Sequence, residues 1–265
     1  MKMKKLLLFL ALVPSVCFAQ DAGHKAVAEQ LNPYVYKILI DDNVNATLMI
    51  TPQGALLFDT GFKESVGALS ETIKQITELP LKGIVNTHYH YDHVGGNAVL
   101  GKGLEIAATA FTMGKVEGEG KPNSLIPDNP MVFKGGHTAE DFVVPMKDFK
   151  IAILGDLLFA DRFPYIDIEN GGNALKYLDI QSELIKMLPE DMKLIGGHGR
   201  LYTMEEFKKL HEDLQATVDI INQLIMADES LENIKAAKPL ADYSKYDWDF
   251  VNQDKWIELV YNSIR

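Results

Sequence analysis

Cysteine is nearly absent from this sequence. The single cysteine, Cys17, lies within the first 19 residues of a chain of 265 residues. Removal of those residues would leave no thiol, which suits an oxidising compartment. Cysteine is then excluded both as a metal ligand and as a nucleophile, and any site chemistry must rest on other side chains.

Positive charge is also scarce. The chain has a formal net charge of −11, and its arginines are Arg162, Arg200 and Arg265. An acidic, arginine-poor surface repels nucleic acid and offers little bidentate recognition of phosphate. We therefore expect a small-molecule substrate and no nucleic-acid partner, while the sequence indicates no particular oligomeric state.

No apolar run is long enough to span a bilayer, but residues 1–19 have the pattern of a secretory signal peptide. A basic start, MKMKK, precedes the apolar run LLLFLALV, and CFA has the small-x-small form of a cleavage site. We predict cleavage after residue 19 and a periplasmic or secreted protein without a membrane anchor. Loss of the three lysines would change the charge from −11 to −14. A buried N-terminal helix and a lipoprotein anchored at Cys17 are the alternatives.

No Gly/Ser-rich linker interrupts the chain, so residues 20–265 are predicted to form a single domain. Short runs of branched and aromatic residues predict antiparallel strands between about 35 and 58, and the later half alternates strand and helix patterns. Residues 114–130 are expected to form a long loop. Thr203 and Glu206 form a capping-box pattern that predicts a helix to about residue 225, followed by an amphipathic helical tail. This order of elements predicts a layered α/β protein with mixed sheets.

The segment NTHYHYDHVGGN, residues 86–97, carries three of the seven histidines together with an aspartate. Polar side chains this dense need partners, and metal ions are the first candidates. If residues 88–92 are extended, alternation places His88, His90 and Asp92 on one side and His93 on another. One segment could then serve two neighbouring metals, with His88 and His90 on the first and Asp92 and His93 on the second. Imidazole and carboxylate favour zinc, with iron or manganese left open.

This segment resembles the HxHxDH motif of the metallo-β-lactamase superfamily. Other matching features lie in family order: Asp59 in LLFDTG before it, then His137 in GGHTAED, Asp156 in ILGDLLF and His198 in GGHGR. Each lies at a strand end followed by glycine or a turn. The resemblance implies the family's αββα four-layer sandwich, in which two mixed β-sheets are flanked by helices, with C-terminal helices completing the single domain.

The resemblance also implies a centre of two metal ions, which we expect to be zinc. The implied ligands are His88, His90 and His137 for the first ion, Asp92, His93 and His198 for the second, and Asp156 for both. A water or hydroxide between the ions would be the nucleophile, and Asp92 would hold it in line. Asp59 would fix the orientation of the ligands from behind them.

The chain departs from known β-lactamases of the superfamily beside the second metal. Asp156 stands where one major group has cysteine, and Phe159 stands where that group often has a lysine that holds the carboxylate of the antibiotic. Arg162, Lys115 or Lys121 would have to supply that contact instead. The residues that follow Asp156 are predicted to line the substrate pocket, namely Phe159, Arg162, Phe163 and Tyr165.

Together, these expectations predict an exported di-zinc metallohydrolase that cleaves a lactam, lactone or thioester with a metal-bridging hydroxide. Three alternatives stay open. They are a β-lactamase proper, a phosphodiesterase, which the negative charge disfavours, and a periplasmic metal-binding accessory protein without turnover. A glyoxalase-II-like enzyme is expected to carry a basic helical tail, whereas the tail that ends in DYSKYDWDF is not basic.

Overall fold

A computed structural model describes residues 16–21, 23–127 and 129–265. Most of the predicted signal peptide, residues 1–15, lies outside the described residues, and the predicted cleavage point falls inside the first strand. The strands β1 to β14 are, in chain order, Val16–Asp21, His24–Asn32, Val35–Ile40, Val44–Thr51, Gly54–Phe58, Leu81–Val85, Glu105–Ala108, Ser124–Leu125, Val132–Phe133, Asp141–Phe142, Val144–Met146, Ile151–Phe159, Lys193–His198 and Tyr202–Thr203.

The helices of the described residues flank these strands. Helices α1 to α8 are, in chain order, Val66–Ile76, Tyr91–Val94, Asn97–Leu100, Ala110–Lys115, Ala174–Met187, Met204–Met226, Leu231–Ala237 and Gln253–Ile264. Short 3-10 turns lie at Gly118–Gly120, Lys147–Phe149, Ile168–Asn170 and Ala241–Tyr246. Within the described part of the chain, no helix combines the length and the apolar character that a bilayer crossing requires.

The sheet consists of two arms. In the first arm, β1 to β5 pair antiparallel in sequence order and β5 to β8 continue in parallel. In the second arm, β12 pairs in parallel with β13, and β11 and β14 pair antiparallel at its two sides. The arms meet through a backbone pair between His198 of β13 and Val44 of β4. The end of β13 is therefore the seam of the fold.

Apolar clusters define the layers. One cluster packs α1 against strands of the first arm, and another packs α5, α6 and α8 against the second arm, with Tyr177 and Trp256 completely buried. A smaller cluster joins Val35 and Phe58 of the first arm to Ile195 of the second, and so lies between them. The resulting order of helix, sheet, sheet and helix confirms the predicted αββα sandwich.

Most predicted elements are present, with instructive exceptions. The predicted helix after residue 203 is α6, and Thr203 and Glu206 form both hydrogen bonds of its capping box. Strand β2 was missed, because the residues it buries completely are Ala26 and Ala28, which give a weak β signal. The predicted loop at 114–130 contains β8, a two-residue strand that pairs with β7.

Candidate metal centre

The side chains predicted to bind metal come together beyond the carboxyl ends of β6 and β13. His88 and His90 lie in the loop after β6, and His198 is the last residue of β13. The metal-binding atoms form two clusters, and the atoms of each cluster lie within 4.8 Å of one another. The first cluster is His88, His90, His137 and Asp156, and the second cluster is Asp92, His93 and His198.

The segment that carries the four N-terminal members is not extended throughout. It is extended up to His90 and becomes helical in α2, which begins at Tyr91. The expectation that His88, His90 and Asp92 share one side by strand alternation is therefore wrong. Asp92 and His93 are delivered together by a single helical turn, and this turn separates them from His88 and His90.

The first cluster has the dimensions of a metal site. His90 Nδ1 is 3.1 Å from His88 Nε2 and 2.9 Å from His137 Nε2. Asp156 Oδ2 is 3.2 Å from His137 Nε2 and 3.6 Å from His88 Nε2. Tetrahedral ligands about 2.0–2.1 Å from a zinc ion lie roughly 3.3 Å from one another. Three nitrogens and one oxygen thus surround a space that fits such an ion.

Asp156 also reaches the second cluster. Its Oδ1 is 3.2 Å from His93 Nε2, and its Oδ2 is 3.5 Å from His198 Nε2. Asp92 Oδ2 is 3.4 Å from His198 Nε2 and 3.7 Å from His93 Nε2. His93 Nε2 and Asp156 Oδ1 are buried, and neither has a hydrogen-bond partner in the described part of the chain. Because unpartnered buried polar atoms are costly, this pair fits a cation between the two atoms.

The hydrogen bonds of the histidine rings also fit a cation in each cluster. Each cluster histidine directs one ring nitrogen away from the cluster, where it donates to an oxygen. The acceptors are Thr87 Oγ1 for His88 (3.0 Å), Asp167 Oδ2 for His90 (2.9 Å), Asp59 Oδ2 for His93 (2.9 Å), the Tyr165 carbonyl for His137 (2.8 Å) and the Asn43 carbonyl for His198 (3.2 Å). A neutral imidazole carries one N–H, so the nitrogen that faces the cluster carries a lone pair. Converging lone pairs and carboxylate oxygens repel one another and bind a cation.

Asp59 supports both clusters from behind. It follows β5 with a left-handed backbone, at a φ of 58°. Its carboxylate accepts the Thr87 backbone N–H at 2.8 Å, the Thr87 hydroxyl at 2.7 Å and His93 Nδ1 at 2.9 Å. Since Thr87 Oγ1 in turn accepts from His88, one carboxylate fixes the orientation of a ring in each cluster.

Two glycines allow the close approach of the strands at the site. A Cβ at Gly197 of β13 would lie 1.8 Å from Asp156 Oδ1. A Cβ at Gly155, which has a φ of +53°, would lie 2.8 Å from the Thr87 side chain. A side chain at either position would displace the carboxylate that both clusters share or the threonine that anchors His88.

The electrostatics of the centre favour a cation. Against the effect of burial, Asp156 and Asp92 raise the pKa of His198 to about 9, and the same carboxylates raise the pKa of His93 well above its usual value. Burial and the neighbouring His93 lower the pKa of His88. Despite its own burial, Asp156 has a pKa well below its usual range because histidines surround it. Positive charge is therefore stabilised here, and a divalent metal would displace the protons.

Asp167 is a functional candidate that the sequence analysis missed. Its carboxylate accepts from His90 Nε2 at 2.9 Å and from the Tyr89 hydroxyl, and it is held by Asn170 at 3.0 Å. Against the effect of burial, these hydrogen bonds hold the pKa of Asp167 well below its usual range. Asp167 lies 77 residues from His90, so only the fold brings them together. The available signal was its place in the loop after β12, next to the aromatic residues predicted to line the pocket.

Part of this chain is similar in sequence to known proteins. Residues 39–122, which include the HxHxDH segment, match the sequence model of a family described as the metallo-beta-lactamase superfamily. These residues therefore belong to a metallo-β-lactamase superfamily domain. Relatives of the chain include a probable metallo-hydrolase, YqgX, of Bacillus subtilis, which is 27% identical over 184 residues, or 58% of this chain and 84% of the relative.

Two β-lactamases are also among the proteins similar to this superfamily member. Metallo-beta-lactamase IND-1 of Chryseobacterium indologenes is 27% identical over 140 residues, which are 51% of this chain but only 55% of the relative. The solved structure of a metallo-beta-lactamase from Pontibacter korlensis has a TM-score of 0.57 at 21% identity and covers 76% of this chain and 99% of that one. The structural match concerns the fold. Together with the His/Asp clusters, membership makes the chain a superfamily hydrolase with a metal site.

A cavity of about 500 Å³ opens above the metal centre of this superfamily member. Asp92, Asp156 and His198 lie at its inner end, and Phe159 and Tyr165 are among its lining residues. The rest of its lining combines aromatic and polar side chains, namely Asn43, Phe62, Tyr89, His90, Tyr91, Asp167, Glu169, Asn170, Trp248 and Phe250. Substrate would reach the second cluster directly through this opening.

Two residues predicted to line the pocket are placed elsewhere. Phe163 is completely buried and stacks on Trp256, with ring centroids 5.8 Å apart, so it belongs to the core. Arg162 is not among the lining residues. Its guanidinium lies 4.9 Å from the Trp248 ring centroid and donates to Asn43 Oδ1 at 3.2 Å, so it contacts two residues that do line the pocket. Phe163 therefore packs in the core, whereas Tyr165, two positions further on, lines the pocket.

The two lysines considered as substrate contacts differ in position. Lys115 donates to Asn170 Oδ1 at 2.5 Å and lies over the Tyr89 ring, so it is at the rim of the pocket. Lys121 lines a separate surface groove with Lys102 and Asn123. Of the two, Lys115 is the cation within reach of a ligand in the pocket.

Proposed function

We propose that this protein is an exported di-zinc hydrolase that cleaves a carbonyl substrate, namely a lactam, lactone or thioester. One observation carries the proposal. Five imidazole nitrogens and two carboxylates converge on two adjacent spaces that share Asp156, and both spaces border an open pocket. This arrangement suits two cations beside a bound substrate.

Zinc fits the donor set best. Imidazole nitrogen and carboxylate oxygen are ordinary zinc ligands, and the spacing of the first cluster is that of a tetrahedral site. The first cluster would hold one ion through His88, His90 and His137, and the second cluster would hold the other through Asp92, His93 and His198. Asp156 would contact both. Iron and manganese accept the same donors but prefer a higher coordination number, which water or substrate would have to complete.

When bound, the ions would supply an acidified water and a Lewis acid for the carbonyl oxygen. The residues around them orient and exchange protons. Asp92 is the member of the centre best placed for proton transfer, because its side chain is 21% exposed, lines the pocket and has one oxygen directed at His198 Nε2. His198 is held by the Asn43 carbonyl and stacked on Phe159, so its ring stays fixed while Asp92 acts.

The charge of the pocket favours a neutral carbonyl group over a phosphodiester. Its lining includes the acids Asp92, Asp156, Asp167 and Glu169 and no lysine or arginine. Negative substrates would be repelled by this lining outside the metal centre itself. A carbonyl substrate carries no such charge and can place its oxygen directly at the ions.

A β-lactamase proper is the second candidate, and similarity to IND-1 supports it. Most β-lactam antibiotics carry a carboxylate that needs a cation. Phe159 occupies the position where the superfamily resemblance would put a lysine, which leaves Lys115 at the rim to supply that charge. Lactam turnover that falls when Lys115 is replaced by alanine would favour this candidate, whereas efficient hydrolysis of a lactone or thioester without lactam turnover would favour a different carbonyl substrate.

The test uses purified protein reconstituted with zinc. Elemental analysis should find two equivalents, and panels of chromogenic lactams, lactones, thioesters and phosphodiesters should show turnover for at least one carbonyl class. A chelator should abolish this turnover, and added zinc should restore it. Two bound equivalents with no turnover on any panel would overturn the hydrolase and favour a metal-binding accessory protein. No stoichiometric metal would overturn the centre itself.

Export is part of the proposal and rests on the pattern of residues 1–19. Expression of the full chain in a Gram-negative host should release a protein into the periplasm whose N-terminus is Gln20. A cytoplasmic protein that retains Met1 would contradict this part and leave the metal centre unaffected.

A further inference from the structure

A short segment between the last 3-10 turn and α8 crosses the outer part of the pocket. We call residues 247–252 the C-terminal strap. Trp248 and Phe250 of this strap line the cavity that contains Asp156 and His198. No role for the strap, whose sequence is DWDFVN, follows from the HxHxDH motif or from the metal ligands.

The strap is held in a defined position. Trp248 Nε1 donates to the Phe163 carbonyl at 2.9 Å, and the Trp248 backbone N–H donates to the Val251 carbonyl at 3.2 Å. On its N-terminal side, Phe163 N donates to the Tyr246 carbonyl at 2.8 Å, and the Tyr246 hydroxyl donates to Asp213 at 2.6 Å. The two aromatic side chains are therefore presented by fixed backbone and need little ordering when a ligand binds.

The strap completes a continuous aromatic wall. Phe159 stacks on His198 with 4.9 Å between ring centroids and an interplanar angle of 9°. From Phe159 the wall continues to Trp248 at 6.0 Å, to Phe250 at a further 5.6 Å and to Tyr165 at a further 5.1 Å. It therefore runs from a predicted metal ligand to the rim of the pocket.

The outer end of this wall faces solvent. Phe250 is 61% exposed, which is unusual for so large an apolar side chain beside other aromatic rings. Exposed apolar patches next to a pocket mark binding sites, because a ligand gains the hydrophobic free energy that the free protein lacks. The wall ends at Tyr165, and Asp167, two residues further along the chain, belongs to the polar part of the lining.

We propose that the C-terminal strap determines specificity by binding an apolar, preferentially aromatic, group on the acyl side of the substrate. The inference rests on the proposed hydrolase function and names its substrate class: acyl compounds with a ring or a similar apolar group one or two bonds from the cleaved carbonyl. Flat rings can stack against Trp248 and Phe250, and their carbonyl then lies on the side of the wall where His198 and Asp156 are found.

Kinetics on matched substrates test this. S-phenylacetyl and S-acetyl thioesters of one thiol share their leaving group and differ only in the ring. The zinc-loaded protein should have a kcat/KM for the phenylacetyl thioester at least about 10-fold higher. Phe250→Ala should remove most of this preference by lowering kcat/KM for the phenylacetyl thioester far more than for the acetyl thioester, and Phe250→Leu should retain part of the preference. Tyr34→Ala, which removes a 52% exposed aromatic ring outside the pocket, is the matched control.

A binding measurement separates the strap from turnover. The chain has two tryptophans, and Trp256 is completely buried in the core, so ligand-dependent fluorescence reports on Trp248. Phenylacetamide should change the fluorescence of the zinc-loaded protein with saturation, acetamide should not, and Trp248→Phe should lose the response. Saturable binding of phenylacetamide without hydrolysis of either thioester or of any other carbonyl panel would preserve the strap and overturn the hydrolase. Equal hydrolysis of both thioesters, unaffected by Phe250→Ala, would overturn the strap and preserve the hydrolase.

Discussion

The two clusters of the metal centre are built from the same residue types but supported differently. In the first cluster, every histidine is anchored by an acceptor outside the cluster, namely Thr87 for His88, Asp167 for His90 and Tyr165 for His137. In the second cluster, Asp92 contacts His93 and His198, lies near the charge of Asp156 and is partly exposed in the pocket. The first cluster thus fixes all of its histidine rings in place, whereas the second cluster also contains a carboxylate, Asp92, that is free to react.

The largest effect should come from the residue that the two clusters share. Asp156→Asn removes the negative charge that both spaces use, so we expect turnover to fall by several orders of magnitude and metal content to fall below two equivalents. Activity assays and elemental analysis of the purified variant check this. Two tightly bound zinc ions in the variant would mean that the clusters are independent and that the shared carboxylate has been misassigned.

Asp92 should separate metal binding from chemistry. Because Asp92 touches only the second cluster, Asp92→Ala should reduce turnover by several orders of magnitude while the fold and the ion of the first cluster persist. Circular dichroism, metal content and kcat together measure this. Turnover close to that of the wild type would show that the reactive carboxylate lies elsewhere.

The anchor behind His90 should have a smaller effect. Asp167→Asn keeps the shape but weakens the acceptor of the His90 ring, and partners of this kind typically change metal affinity by about 10–100-fold. Competition with a chromogenic chelator measures the zinc affinity of the variant. The loss of affinity should appear at the site that binds its ion most tightly. Asp161→Asn is the matched control, because Asp161 pairs with Arg200 at 2.7 Å outside both clusters. Equal losses of zinc affinity in Asp167→Asn and Asp161→Asn would show that the weakened hydrogen bond to His90 is not the cause.

The smallest effect concerns stability and pH. Against its partial burial, hydrogen bonds from Arg200 and Tyr202 hold the pKa of Asp161 below its usual value. A carboxyl with a lowered folded pKa contributes stability above its unfolded pKa of about 3.9 and loses it as the pH falls through the folded value. Since the pair is half-exposed, Asp161→Asn should cost at most about 1 kcal/mol near pH 7. Urea unfolding between pH 7 and pH 3.5 should show this difference shrinking below about pH 4, and a difference that grows there would contradict the pairing.

The sequence predicted the parts of the centre that have local patterns. HxHxDH is contiguous and follows β6, and His198 ends β13, so their convergence could be expected from strand ends meeting at one edge. Asp156 instead lies within β12, three residues before its last residue. Asp167 and Trp248 had no such pattern, because their positions depend on contacts with residues about 80 positions away in sequence, His90 and Phe163. Phe163 and Tyr165 are only two positions apart, and nothing local indicates that one is packed in the core while the other faces the cavity.

His198 also lies at the seam of the fold, where it pairs β13 of the second arm with Val44 of β4 in the first arm. Asp156 also belongs to the second arm, whereas His88, His90, Asp92 and His93 follow a strand of the first. A chain whose halves have not yet docked therefore has no complete binding site for either ion. Metal uptake would then occur only after the sandwich has closed, and the bound ions would act as a staple that holds the halves together.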